Sequence, residues 1–148
     1  VEREPEWTPP TAAAFVEAAQ SYMGVPYQAG GGHGANPHPL TGLDPAGLVR
    51  MALWTASGED PGDGDCEAYR HKWKPVEASA ALPGDVLYFV LDGDRAGPAN
   101  HCAIMAGDGA CVQAPEPSAS VSQGPVGMYL QAALVGANRP CPPAQKDR

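Results

Sequence analysis

Apolar positions recur at helical spacing in two early stretches and then give way to short runs of strand type. From Thr11 to Met23, Phe15, Ala18, Ala19 and Tyr22 fall on one face, which predicts a helix. Thr8-Pro9-Pro10-Thr11 supplies its start, with Thr8 or Thr11 as N-cap, and Gly24 its stop. Val25-Pro26-Tyr27 reads as a short extended piece, followed by a long glycine-rich loop from Ala29 to Gly42. A second helix is marked at both ends: Asp44 as N-cap, Pro45 at the first helical position and Gly58 after the last. Its apolar stripe reads as Leu48, Met51, Ala52 and Trp54-Thr55.

Beyond it, Glu59 to Asp65 reads as an acidic turn, and Cys66 to Trp73 as a short helix or irregular chain. Val86 to Leu91 predicts a buried strand after the Leu82-Pro83-Gly84-Asp85 turn. His101 to Ala106, Gly107-Asp108-Gly109 and Ala110 to Ala114 predict a β-hairpin. Val121 to Gly136 reads as a strand and a turn, with another strand near Ala133 to Ala137. Helices first and strands afterwards point to an α+β fold, an antiparallel sheet packed against N-terminal helices. Residues 1–8 read as an arm, 9–139 as one domain and 140–148 as a loose, proline-rich tail.

Composition changes this picture in three ways. With 18 Gly and 17 Pro in 148 residues and a net charge of −8, the chain leans toward disorder, a lean that its Tyr, Trp and apolar runs offset. Nine basic against 17 acidic residues argue against a nucleic-acid partner, because phosphate binding needs Lys and Arg. No apolar stretch approaches the roughly 20 residues of a membrane span. An Ala-, Gly- and Pro-rich composition is also associated with GC-rich genomes such as those of actinobacteria and their phages.

Three ordered segments then carry chemistry. They are Gly24-Val25-Pro26-Tyr27 with Gly30-Gly31-Gly32; Gly42-Leu43-Asp44-Pro45-Ala46-Gly47-Leu48-Val49 with Pro83-Gly84-Asp85-Val86; and His101-Cys102-Ala103-Ile104-Met105-Ala106-Gly107-Asp108-Gly109 with Gln113-Ala114-Pro115. At this spacing the chain resembles the NlpC-type bacterial cell-wall peptidases, which are papain-like cysteine enzymes. In that family the second segment reads Gly-Phe-Asp-Cys-Ser-Gly-Leu-Val. Its Cys opens a helix that favours thiolate, a His on a later strand is the base, and a third polar residue about twelve positions on orients that His. The resemblance makes His101 the base and Gln113 the orienting residue. It puts Pro45 at the nucleophile position and Ala46 at the following Ser.

Proline has no nucleophile and no N–H, so it neither performs acyl transfer nor donates to an oxyanion hole. A relocated thiol finds little support. Cys102, adjacent to His101 on a strand, points to the opposite face. A hairpin turning at Asp108 puts Cys111 opposite Met105, four residues from His101 and roughly 13 Å along the strand. The same register sets Cys102 and Cys111 on opposite faces, against a disulfide between them. The path of Cys66 is not placed by the sequence, and Cys66, Cys102, Cys111 and Cys141 are too scattered for a zinc site.

The remaining candidates each have a plain reading. The resemblance puts Asp44 near the amine of a peptide substrate, while its local chemistry makes it an N-cap worth roughly 1 kcal/mol. Tyr27 matches a family tyrosine lining the active site, or is a packed aromatic with a wet hydroxyl. His101 beside Gln113 is a retained ligand contact or a hydrogen-bonded relic. His33 and His38 with His101 would suit a metal, but loop histidines are more often solvated, and no metal or cofactor is expected. Gly30-Gly31-Gly32 lacks the Lys and Ser/Thr of a phosphate loop, and Glu59 to Asp65 has the wrong spacing for a calcium loop, which leaves a solvated turn. Trp7, Trp54 and Trp73 read as packing residues. The expected function is a catalytically inactive homologue of a peptidoglycan endopeptidase, extracellular or in the cell envelope or a virion. Its ligand site would comprise Tyr27, Asp44, Ala46, His101 and Gln113, and its partner would be a peptidoglycan stem peptide or an assembly protein. The alternatives are a structural component of a phage tail or envelope, and an active peptidase with a relocated nucleophile.

Overall fold

Helix α2 (Pro45–Ser57) forms where its end signals place it. Asp44 Oδ1 accepts the Gly47 N–H at 2.7 Å, and Gly58 closes the helix in the left-handed region at φ 82°. The computed structural model describes residues 7–38, 40–115 and 119–142. The apolar stripe is broader than expected. Residues 45–53 are all buried while Thr55 is exposed, because α2 is wedged between helix α1 (Ala12–Ser21) and the sheet. Thr11, not Thr8, caps α1, its hydroxyl accepting the Ala14 N–H at 3.1 Å. Phe15, Ala18 and Ala19 of α1 are buried.

Helix α3 (Cys66–Arg70) is capped by Asp65, whose carboxylate accepts the Ala68 N–H. Strand β1 (Lys74–Val76) was not anticipated; it holds a proline, and it lies at the sheet edge, where the missing N–H is tolerated. A 3-10 turn (Ala78–Ala80) follows. Next come β2 (Val86–Phe89), β3 (His101–Gly107), β4 (Ala110–Gln113), β5 (Ser122–Pro125), α4 (Met128–Ala133) and β6 (Leu134–Arg139). Helix α4 stands where a turn was expected, and a helix under two turns leaves too little periodicity to read. The six strands pair antiparallel throughout in the order β1-β6-β2-β3-β4-β5. The β3–β4 hairpin turns at Asp108, φ 54°, with Met105 opposite Cys111 as the sequence register requires.

Both faces of the sheet centre are covered, which is why Val86 to Phe89 is apolar without alternation. Val86, Tyr88, Cys102 and Ile104 join the core shared with α1 and α2. Leu87, Phe89, Ala103 and Cys111 face the other way, against Leu130 and Ala133 of α4. Two polar anchors hold this arrangement. Asp85 takes a two-pronged hydrogen bond from Arg139, at 2.8 and 2.9 Å, and also accepts the Leu82 N–H. Asn138, fully buried, accepts from the Tyr88 hydroxyl and donates to the carbonyls of Tyr69 and Arg70, fastening the end of α3 to the sheet.

The chain ends need correction. Residues 1–6 of the expected arm and 143–148 of the expected tail lie outside the described residues. Trp7 is docked: its indole N–H lies 3.1 Å from Ser57 Oγ and 3.2 Å from the Glu59 carbonyl. It is 6.3 Å from Trp73, which stacks on Tyr69. Cys141 is 2% exposed and belongs to the helix-side core, so the described start of the tail is packed rather than loose.

Candidate active site

The start of α2 is built by close backbone approach. The glycine-rich loop crosses directly over it, and a Cβ on Gly47 would sit 1.9 Å from the Gly31 carbonyl oxygen. Gly31 in turn has no room for a Cβ, which would meet the Gly42 carbonyl. Glycine at these positions is therefore a packing requirement. The Asp44 N–H donates to Gly31 O, and the Asp44 carboxylate accepts the N–H groups of Gly47 and, at 3.2 Å, Gly30. The cap thus fastens helix and loop together.

Beside this helix start lies an open pocket of about 290 Å³, lined by Tyr27, His33, Asp44, Pro45, Ala46, Asp65, Cys66, Ala99 and Asn100. Three of the expected ligand residues, Tyr27, Asp44 and Ala46, share its wall with Pro45. His101 and Gln113 are brought together but do not line it. His101 is 2% exposed, and its Nε2 lies 2.7 Å from Gln113 Oε1. With the amide oxygen accepting, Nε2 carries the proton and Nδ1 keeps its lone pair. Burial holds the His101 pKa below its ordinary value, so the ring is neutral near pH 7. His101 and Gln113 thus form a buried hydrogen-bonded pair on neighbouring strands β3 and β4, and Pro45 opens α2 at the pocket wall.

The strongest electrostatic feature joins two segments that look, in the sequence, like a solvated loop and turn. His33 lies between two carboxylates, with Nε2 2.7 Å from Asp44 Oδ1 and Nδ1 2.5 Å from Asp63 Oδ1. The hydrogen bond to Asp44, helped by Asp63 and opposed by burial, pushes the His33 pKa up to about 9. Both ring nitrogens then donate. Asp63 also accepts the Gly34 N–H. Behind it, Arg50, 2% exposed, makes a two-pronged contact with Asp60 and donates to the carbonyls of Gly32 and Gly34. The Glu59–Asp65 segment is therefore a structural clamp on the glycine-rich loop, not a solvated turn. The three loop and strand histidines do not converge, since His38 packs edge-on against Trp54. Neither Arg50 nor His33 carries a local signal for this role, because their partners lie 10 to 30 residues away.

The NlpC/P60 family profile matches residues 24–139, which include the pocket, the helix start, the hairpin and the Asp85–Arg139 anchor. The chain belongs to the NlpC/P60 family. Its relatives include Protein P54 of Enterococcus faecium, 32% identical over 117 residues, or 79% of this chain and 20% of that protein. A Mycobacterium bovis relative named "Probable endopeptidase" is 38% identical over 99 residues, 67% of this chain and 22% of that one. The chain thus spans about a fifth of the length of these curated relatives. Among solved structures, the NlpC/p60 domain of the peptidoglycan hydrolase SagA is 30% identical with a TM-score of 0.67, covering 86% of this chain and 97% of that domain. The NlpC/P60 fold is therefore present with its helices and six-stranded antiparallel sheet, and Pro45 opens α2.

Proposed function

We propose that this NlpC/P60 domain is a peptidase scaffold without a nucleophile, which retains the ability to hold a peptidoglycan stem peptide in the pocket beside Pro45. The observation that carries this reading is the identity of the residue at the start of α2. Pro45 lines the pocket where the family resemblance puts a cysteine, and it has no group able to attack a peptide bond. With the Asp44 carboxylate paired to the His33 imidazolium, Asp65 leaves the pocket wall with a net negative charge that suits the free ammonium of a stem peptide, and Tyr27 flanks it. A place outside the cytoplasm, in the cell envelope or a virion, follows from such a ligand.

Calorimetry with soluble muropeptides, paired with a cleavage assay, tests this. Binding without cleavage is expected. Cleavage by the unaltered chain would overturn the inactive reading, and absence of binding at millimolar ligand would overturn the ligand reading in favour of a structural module. Restored cleavage by Pro45→Cys would mean that His101 and Gln113 still serve a nucleophile placed at the helix start.

One observation favours a second reading, an enzyme with a displaced nucleophile. Cys66 brings a thiol to the pocket wall. Its sulfur, however, contacts another sulfur rather than an imidazole. Any wild-type cleavage that survives Cys66→Ser excludes this reading.

A further inference from the structure

The sulfurs of Cys66 and Cys102 lie 3.1 Å apart, joining residues 36 positions distant in the chain. Cys66 is the first residue of α3 and borders the open pocket. Cys102, on the helix-facing side of β3, is 1% exposed. The other two cysteines are not candidates for this contact. Cys111 lies across the sheet in the second core, and Cys141 follows the end of β6, whereas the Cys66 sulfur meets that of Cys102. The pair is therefore ordered: Cys66, 5% exposed, borders the pocket, and Cys102, which does not line it, lies against the Cys66 sulfur.

We propose that Cys66 and Cys102 form a thiol–disulfide pair, oxidised by small disulfides that enter through the pocket. The order of the sulfurs matches the geometry of exchange. Cys66, having lost its proton, attacks one sulfur of a low-molecular-weight disulfide; that S–S bond breaks and one small thiolate leaves. The remaining half stays on Cys66 as a mixed disulfide and projects into the pocket. Cys102 then loses its proton and attacks Cys66 Sγ from behind, so the second small thiolate departs into the open side. The two released protons go to the two small thiolates. Two protein thiols are oxidised, and one disulfide is reduced to two thiols.

Burial holds the Cys102 thiol far above its ordinary pKa, so Cys102 does not react first and acts only on a sulfur already activated beside it. The bond would tie α3 to β3. It would thereby fix the segment carrying Asp60, Asp63 and Asp65, which clamps the glycine-rich loop and walls the pocket.

The test uses the full chain, reduced, freed of reductant and equilibrated with oxidised glutathione. Intact mass is expected to fall by two hydrogen atoms, with two of the four thiols left to react in denaturant. Peptide mapping without reductant should join the Cys66 and Cys102 peptides, and the midpoint of thermal unfolding should be higher than for the reduced chain. Cys102→Ala should instead accumulate a glutathione adduct on Cys66, because the resolving thiol is gone. Cys66→Ser should show neither the bond nor an adduct on Cys102. Four free thiols at equilibrium, or a bond between any other pair, would overturn the proposal. Mapping of the unaltered chain decides the pairing even where a variant fails to fold.

Discussion

His33 and Asp44 share a 2.7 Å hydrogen bond that ties the glycine-rich loop to the residue capping α2. Asp63 holds the opposite ring nitrogen, so one imidazolium joins a loop, a helix start and the acidic segment before α3. The pocket wall is thus set by a charge whose persistence depends on pH.

That dependence has a definite sign. The folded pKa of His33, about 9, exceeds its ordinary value of 6.5. Its contribution to stability is complete below about 6.5 and is lost as pH rises through about 9. The size is on the order of 2 kcal/mol, allowing for the part of the ring that stays wet. At the acid end, Asp60 and Asp63 titrate below their ordinary value of 3.8, so their contributions are lost as pH falls through that region. Thermal midpoints should therefore decline between pH 7 and 10, and the decline should flatten in His33→Asn. NMR titration that puts the His33 ring near its ordinary value would contradict the clamp.

Gly47→Ala should be severely destabilising. The new Cβ would lie 1.9 Å from a backbone carbonyl oxygen, so the loop or the helix must move and the Asp44 cap with it. A loss of about 3 kcal/mol or more is expected by denaturant unfolding. A loss under about 1 kcal/mol would mean that the loop does not press on α2 as described.

Removing Arg139 should cost more than an ordinary surface ion pair. Asp85 is 1% exposed, and Arg139→Met would leave its carboxylate buried without its cation. The expected cost is about 2–4 kcal/mol, the lower part of the range for a broken buried pair, because Arg139 is itself partly exposed. A double-mutant cycle with Asp85→Asn should show coupling well above the roughly 0.2–1 kcal/mol of exposed pairs.

Pro45→Ala should fold normally and lose no more than about 1 kcal/mol. Proline at the first helical position mainly restricts the unfolded chain, while the Asp44 cap remains to start the helix. A larger loss in chemical denaturation would give Pro45 a packing role beyond that.

The sequence by itself determined the elements whose signals lie within a few residues of each other. Asp44, Pro45 and Gly58 delimit α2, Asp108 between two glycines turns the hairpin, and the β3–β4 register separates Cys102 from Cys111. The ordered motifs also placed the chain in its family and Pro45 at the start of the helix. Weak local signals failed at β1 and α4, which are three and six residues long and are held by their neighbours. Only the tertiary structure decided the rest. His33 meets Asp63 across 30 residues, Cys66 meets Cys102 across 36, and Asn138 meets Tyr88 across 50. Capping and periodicity act over one or two turns of chain and leave a local imprint. A contact between distant loops depends on how every intervening element packs, so the residues that make it look, in the sequence, like any other polar loop.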